Sequence, residues 1–404
     1  MVVRSGVDTI PFARVEITDQ ARMAAAEVLA SGWLTSGNEV LRFEEEFADW
    51  TETLHAVAVS SCTAALEISL RSLRLRPGSK VLVPTMTFCG AAHAILNAGL
   101  QPILVDVDPF TLLATEATVA AATHRAGGVD AMMVLHFAGY PAPVEALAKA
   151  AGLPLSRVIE DAAHAVGASS SCRKVGGIST ATCFSFYATK NLPIGEGGMI
   201  TTNDRELAVY ARKVRLHGMS TDAWRRYLPT NSSWRYQVDV AGIKANMTDI
   251  QAAIGRSQLR SLEAWQQRRA QIASRYTRAL RGIEGLQLPA WPSSGRHAWH
   301  LYVVQVSPLL GVDRDEFIEC LQRAGISCSV HFIPLHQHAY FRRLAGSGPT
   351  EWPGADHAAD RIVSLPLYPS LTNDEVDHVC DAIEEIAYAS QPIQARAQER
   401  VAMS

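Results

Sequence analysis

Two stretches decide the fold of this chain: SRVIEDAAHAVGA (156–168) and TATCFSFYATKNLPIGEGGMITTND (180–204). The first begins with an apolar run that ends in acidic residues. The second contains two β-rich runs, TATCFSFYA and GGMITTND, which we expect to form a hairpin through the glycine-rich NLPIGEGG segment. Such runs are apolar throughout rather than alternating, which is typical of strands covered by helices on both faces.

Four similar runs precede this region, each followed by a stretch compatible with a helix. They are AVAVS (56–60), KVLVP (80–84), PILVDVD (102–108) and DAMMVLHFAG (130–139). The alternation predicts an α/β fold with a mostly parallel seven-stranded sheet flanked by helices.

The character of the chain changes after Gly242. Thr248 and Gln251 form a capping-box pattern that opens a predicted helix reaching at least to Tyr276. We interpret this helix as the entry from a large domain (1–250) into a smaller C-terminal α+β domain (251–404). There we predict a strand at HLYVVQV (300–306), a helix at DRDEFIECLQRAG (313–325), a strand at ISCSVHF (326–332), a helix at TNDEVDHVCDAIEEI (372–386) and a frayed tail (393–404).

The composition fits a large core and excludes some partners. The chain has 404 residues, 48% of them hydrophobic, and a formal net charge of −3 without a basic stripe, so neither nucleic acid nor an anionic membrane is expected to bind. No stretch of about 18 apolar residues predicts a membrane span. The seven cysteines form no CxxC pair, which favours reduced thiols and a cytoplasmic location.

Lys190 and Asp161 are the first candidates for chemistry. Lys190 follows the apolar FSFYA run, where desolvation would lower its pKa and supply a free amine able to attack an aldehyde. Asp161 closes a predicted strand at the carboxyl end, where open α/β sheets bind ligands, and could pair with a protonated pyridine nitrogen. The alternatives are a lysine that extends from a strand end into solvent and an aspartate that caps a helix.

Two weaker candidates precede them. The SSCTAAL segment (60–66) follows a strand and opens a helix, so the amides of Thr63 and Ala64 could hold a phosphate, although small polar residues there often only cap a helix. Phe88 follows another strand and could stack on an aromatic ring, or simply belong to the core.

The order of these features resembles the nucleotide-sugar aminotransferases of pyridoxal phosphate (PLP) fold type I, the DegT and StrS type. The likeness extends from GWLTSGNEVLRFEEEFA (32–48) to LPLYPSL (365–371). Its most specific motifs are VIEDAAHAVGA (158–168), TCFSFYATKNLPIGEGGMI (182–200), VRLHGM (214–219) and NMTDIQAAIG (246–255).

The resemblance implies a role for each matching position. Lys190 would hold PLP as a Schiff base and carry the proton, with Asp161 on the pyridine nitrogen, His164 near the ring hydroxyl and Phe88 over the ring. Thr63, Ala64 and Ser185 would bind the phosphate, together with Asn246 from the neighbouring subunit, which implies a homodimer with shared active sites.

Three positions depart from the usual pattern of the family: His164 replaces Gln, Cys62 replaces Gly and Ala245 replaces an aromatic residue. The retained Lys190 argues against the branch of the family that dehydrates sugars.

The resemblance also implies the reaction. An amino acid, L-glutamate, would convert PLP to pyridoxamine phosphate (PMP), which would aminate a nucleotide-linked keto sugar. The segment AWRRYLPTNSSWRYQV (223–238) followed by GIKANM (242–247) is most similar to members acting on a dTDP-4-keto-6-deoxyhexose; 3-keto sugars and a keto-inositol are the alternatives. Candidates for the sugar site are Thr35, Arg225, Arg226, His331 and His336.

Other interpretations are open at this point. Arg225 and Arg226 could form a solvated face. His331, His336 and His338 suggest a metal only superficially, because no acidic residue lies at ligand spacing and Pro334 disrupts a helix. A nicotinamide-dependent oxidoreductase would need GxGxxG after an early strand, and GEGG (195–198) comes too late. A non-enzymatic regulator that kept the PLP fold is the second alternative class.

Overall fold

The computed structural model describes residues 9–171, 173–220, 235–345 and 352–390. The predicted C-terminal tail and the pair Arg225 and Arg226 lie outside these residues.

The strands are β1 (His55–Val59), β2 (Lys80–Pro84), β3 (Gln101–Val105), β4 (Ala131–Leu135), β5 (Val158–Asp161), β6 (Ser169–Ser170), β7 (Arg173–Lys174), β8 (Ala181–Ser185), β9 (Gly198–Thr202), β10 (Leu286–Gln287), β11 (Tyr302–Val306) and β12 (Ile362–Leu365). The helices of the first half are α1 (Asp19–Ser31), α2 (Asn38–Thr51), α3 (Cys62–Ser72), α4 (Cys89–Asn97), α5 (Glu116–Ala126), α6 (Val144–Ala150) and α7 (Arg205–Val214). Those of the second half are α8 (Asp249–Leu259), α9 (Leu262–Ala279), α10 (Arg314–Arg323), α11 (Ala339–Ala345), α12 (Pro353–Ala359) and α13 (Asn373–Ser390).

The large sheet has seven strands in the order β1-β9-β8-β5-β4-β2-β3. Strands β3, β2, β4, β5 and β8 run parallel, and β9 is antiparallel to both of its neighbours. Every residue of β4, β5, β8 and β9 is buried, as expected of strands covered by helices on both faces. The predicted α/β class, the mostly parallel sheet and the β8–β9 hairpin are therefore confirmed.

The predicted bridge helix is two helices rather than one. The capping box of Thr248 and Gln251 opens α8 as expected, but α8 ends at Leu259 and α9 begins at Leu262. Arg260 and Ser261 between them keep αR backbone angles and neither is a glycine or a proline, so the local sequence carries no break signal. The boundary between residues 250 and 251 stays a prediction.

A three-stranded antiparallel sheet, β10-β11-β12, organises the second hydrophobic core. Helices α9, α10 and α13 contribute buried residues to this core. Asp313 caps α10, and Thr372 with Glu375 caps α13, both as predicted. The predicted strand at 326–332 is wrong: Ile326 and Ser329 form only isolated bridges, and β12 pairs with β11 instead. All four residues of β12 are buried, whereas this segment turns side chains toward a cavity.

No helix within the described residues is long and apolar enough to span a membrane.

Candidate active site

A cavity of about 500 Å³ opens at the carboxyl ends of the parallel strands. Asp161 is the last residue of β5 and Ser185 the last of β8, so the strand order brings them to one edge. The predicted residues that line it are Thr63, Phe88, Asp161, His164, Ser185, Lys190 and His331. The fold thus assembles most of the predicted cofactor site in one place.

Lys190 lies in the loop after β8, partly buried at the cavity wall. Burial lowers the pKa of Lys190 to about 8, although the nearby Asp161 and Cys62 act in the opposite direction. Its Nζ lies 3.3 Å from Nε2 of His300. A lysine that extends into solvent would keep its ordinary pKa, so this environment favours the reactive amine.

Asp161 is 5% exposed and is a strand residue, not a helix cap. Burial raises its pKa, and a hydrogen bond from the Ala163 N–H at 3.1 Å and the charge of Lys190 partly offset that effect. The Cys62 thiol also donates toward the same carboxylate oxygen at 3.9 Å. A buried carboxylate is suited to a cationic partner, and a protonated pyridine nitrogen is such a partner.

His164 is buried with a defined hydrogen-bond pattern. The Ala138 N–H donates to its Nδ1 at 3.2 Å. Burial holds the pKa of His164 well below its usual value, so the ring is neutral and its proton is on Nε2. The histidine that replaces glutamine here therefore still has a hydrogen to donate, as a contact to the ring hydroxyl would require.

The start of α3 is a capped turn beside the cavity. Ser61 caps the helix, because its Oγ accepts the Ala64 N–H at 3.1 Å. That amide is thereby engaged, and Ala64 does not line the cavity, whereas Ser61, Cys62 and Thr63 do. Phe88 is 60% exposed at the cavity wall and is not a core residue. It is free to stack on a planar ligand.

Two further candidates lie away from the cavity walls. Thr35 is exposed on the loop before α2. Asn246 pairs with Val59 by an isolated bridge, and its Nδ2 donates to Ser36 Oγ at 2.8 Å. Neither residue lines the cavity.

His336 lies outside the cavity walls. Its Nδ1 shares a hydrogen with Thr85 Oγ1 at 2.7 Å, its Nε2 contacts Asp356 at 2.8 Å, and its ring stacks on Trp352. Both nitrogens are engaged in a buried contact that joins α12 to the end of β2, and the role of His336 in substrate binding stays a prediction. In the described part of the chain, no group of three or more His, Cys, Asp or Glu side chains is arranged to hold a metal.

Sequence reasoning missed several residues of the cavity. His300, Tyr187, Glu196 and Phe332 all line it. The sequence signal for His300 is RHAWH (296–300), which places two histidines directly before the buried strand β11.

Residues 15–384 match the family model of the DegT/DnrJ/EryC1/StrS aminotransferase family. The chain belongs to this family.

Individual relatives match over similar lengths. The spore coat polysaccharide biosynthesis protein SpsC of Bacillus subtilis (strain 168) is 44% identical over 380 residues, which cover 93% of this chain and 97% of SpsC. Among solved structures, the PMP form of Spr1654 from Streptococcus pneumoniae, assigned as a sugar aminotransferase, is 28% identical to this chain. The two structures superpose with a TM-score of 0.86 over 95% of this chain and 100% of Spr1654. DesV of S. venezuelae is 31% identical with a TM-score of 0.84, over 94% and 99% of the two chains.

These matches confirm three predictions: PLP fold type I, an aminotransferase, and PLP as its cofactor. A nicotinamide-dependent oxidoreductase is thereby set aside. The residue types in the cavity fit PLP, because a buried carboxylate, a lysine of lowered pKa and a helix N-terminus occur together at its walls.

Proposed function

We propose that this aminotransferase transfers the amino group of L-glutamate to a nucleotide-linked keto sugar, a dTDP-4-keto-6-deoxyhexose. The observation that carries the proposal is the shared cavity of Lys190 and Asp161. The proteins of similar sequence and fold support the sugar substrate, since SpsC takes part in polysaccharide biosynthesis and Spr1654 is assigned to sugars.

The cofactor would be held by the residues that the cavity brings together. Lys190 would bind it covalently, Asp161 would pair with the pyridine nitrogen, and His164 would donate to the ring hydroxyl. Thr63 and Ser185 would contact the phosphate, and Phe88 would cover the ring. When bound, PLP supplies the electron sink that stabilises the carbanion next to the amine.

Lys190 performs the acid–base work in this proposal. A pKa of about 8 leaves a useful fraction of neutral amine near pH 7, so that the same group can take a proton from the substrate carbon and return it. Asp161 would face the ring nitrogen with its carboxylate oriented by the Ala163 N–H.

His331 would contribute a neutral histidine to the proposed sugar site. Burial lowers the pKa of His331 to about 4, and its Nδ1 lies 2.9 Å from Ser364 Oγ. His331 would therefore offer a hydrogen bond rather than a charge, and a diphosphate would need Arg225 and Arg226. A 3-keto sugar or a keto-inositol is the alternative acceptor.

We also propose a homodimer. Tyr187 and Leu34 are exposed apolar side chains, the first at the cavity and the second near Asn246, and a second subunit would cover them. Asn246 would then reach the phosphate in the neighbouring subunit.

The test compares the wild-type protein with Lys190→Ala. The wild type should show the visible absorbance of bound cofactor, lose it on addition of L-glutamate and regain it on addition of a dTDP-4-keto-6-deoxyhexose. Lys190→Ala should turn over nothing, because the covalent attachment and the proton carrier are both lost. Substantial turnover by this variant would overturn the role of Lys190.

Two further outcomes distinguish the alternatives. An absorbance that ignores every amino donor would indicate the non-enzymatic regulator. Recovery with a 3-keto sugar or a keto-inositol, but not with the 4-keto sugar, would replace the proposed acceptor.

A further inference from the structure

His300 contacts the amine of Lys190 and has no role in the proposals above. It is 6% exposed and lines the cavity, two residues before β11. Its Nε2 lies 3.3 Å from Lys190 Nζ. Whether this nitrogen accepts or donates depends on which ring nitrogen carries the hydrogen.

The neighbouring Asn191 determines that tautomer. Asn191 Nδ2 donates to the Ala298 carbonyl at 2.7 Å, which fixes the orientation of the amide. Asn191 Oδ1 then faces His300 Nδ1 at 3.2 Å. An amide oxygen only accepts, so Nδ1 carries the hydrogen.

The His300 ring is neutral, because burial and then the charge of Lys190 hold its pKa well below the usual value. A neutral imidazole with its hydrogen on Nδ1 has a lone pair on Nε2. This lone pair faces the Lys190 amine.

We infer that His300 is a positioning residue for Lys190, accepting a hydrogen bond from Nζ through Nε2. The inference rests on the proposed role of Lys190. A neutral amine has two hydrogens and one lone pair. With one N–H held toward His300, the lone pair points away from the imidazole, so His300 limits the directions from which Lys190 can take a proton.

The backbone around His300 is held from both sides, which makes this contact precise. Arg269 of α9 is buried, and its Nη1 donates to the carbonyls of Trp299 at 3.1 Å and Leu367 at 2.8 Å. On the other side, Asn191 holds both the Ala298 carbonyl and the His300 ring. The residue that orients His300 is therefore the one that directly follows Lys190 in the chain.

Other groups also act on Lys190. Asp161 and Cys62 raise its pKa, His164 and His331 face the same cavity as neutral rings, and Glu196 lines its wall. A lone pair directed at Nζ favours the ammonium form over the neutral amine. Loss of His300 should therefore lower the pKa of Lys190 below its value of about 8.

The experiment measures that pKa directly in the cofactor-free, full-length protein. Lys190 is labelled with trace acetic anhydride across a range of pH, and the labelled peptide is quantified by mass spectrometry. We expect His300→Phe to lower the apparent pKa of Lys190 by about one unit. His300→Gln should restore it, because an amide oxygen can accept the same hydrogen bond.

His297→Gln is the matched control. His297 is also buried and accepts the Trp299 N–H through Nδ1, but it does not line the cavity of Lys190. Its replacement should leave the pKa of Lys190 unchanged.

A second measurement uses the protein loaded with PLP. There His300→Phe should slow the half-reaction with L-glutamate about tenfold, and His300→Gln should slow it less.

An unchanged pKa of Lys190 in His300→Phe would overturn the inference, as would equal effects of His300→Phe and His300→Gln. If His300→Phe does not fold, His300→Ala replaces it, and the same lowering of the Lys190 pKa is expected; an unchanged pKa there would overturn the inference equally. Turnover by Lys190→Ala would instead defeat the proposed function and would leave the labelling result standing.

Discussion

Three histidines lie around Lys190 without adding charge to its surroundings. Burial lowers the pKa of His164, His300 and His331, so each ring is neutral near pH 7. Each therefore offers one donor and one acceptor in a direction fixed by its own partner. The negative charge near the amine comes from Asp161 instead.

Among these residues, His164 supports a prediction about the cofactor. His164→Leu should weaken PLP binding about tenfold, since it removes one donor and leaves the buried Ala138 N–H without its acceptor. Equilibrium titration of cofactor-free protein with PLP measures this. His164→Gln is the control, because an amide can both accept the Ala138 N–H and donate. Equal affinities for Leu and Gln variants would argue against any contact between His164 and the ring.

At the level of helices and strands, the turn before α3 depends on close packing against β9. A Cβ on Gly198 would lie 2.5 Å from the Ser61 carbonyl carbon and 2.7 Å from the Cys62 backbone nitrogen. These are backbone atoms, so neither can move without moving the turn that carries Thr63. The glycine in β9 thus holds the proposed phosphate site close to the sheet.

Gly198→Ala should therefore destabilise the protein by about 1–3 kcal/mol and also weaken PLP binding. Urea denaturation and a PLP titration measure the two effects. Gly177→Ala is the matched control: its Cβ would contact only the Thr53 and Asn203 side chains at 3.1 and 3.2 Å, which can adjust. A Gly198→Ala protein with wild-type PLP affinity would contradict the proposed dependence of the phosphate site on this packing.

Across the molecule as a whole, two parts of the chain form the cavity. The large sheet supplies Asp161 and Ser185, and the second half of the chain supplies His300 and His331. Asn246 is missing from these walls, although its neighbour Ala245 accepts a hydrogen bond from the Ser60 N–H at 2.8 Å. A homodimer would explain why Asn246, so near the turn before α3, does not line this cavity.

Subunit mixing tests that dimer. Lys190→Ala and Asn246→Asp proteins should each be inactive alone, because one lacks the amine and the other places a carboxylate beside a phosphate. After mixing, unfolding and refolding together, a heterodimer should regain one active site, which combines the intact Lys190 of one subunit with the intact Asn246 of the other. Turnover of the mixture with L-glutamate is the measurement. No recovery would mean that Asn246 serves its own subunit or none.

The large sheet, its hairpin and the edge at which the chemistry lies could all be predicted from the sequence. Short apolar runs such as that of β4 are typical of strands in the middle of a covered sheet, and this pattern is local. Asp161 and Lys190 could be found for the same reason, since each lies at or just after the end of such a run. The caps of α8, α10 and α13 are also local signals, three residues apart, and all three are confirmed.

The remaining features could not be predicted, because they depend on contacts between residues distant in the chain. The two ring nitrogens of His336 contact Thr85, 251 residues away, and Asp356. The segment 326–332 is not a strand, because its only pairings with residues that the structure describes are isolated bridges from Ile326 to Ile10 and from Ser329 to Ser364 of β12. His300 reaches Lys190 across 110 residues, and Asn191 fixes its tautomer. Periodicity and local motifs in the sequence indicate which residues are buried. The hydrogen-bond partners of those residues depend on how the helices and strands pack against one another.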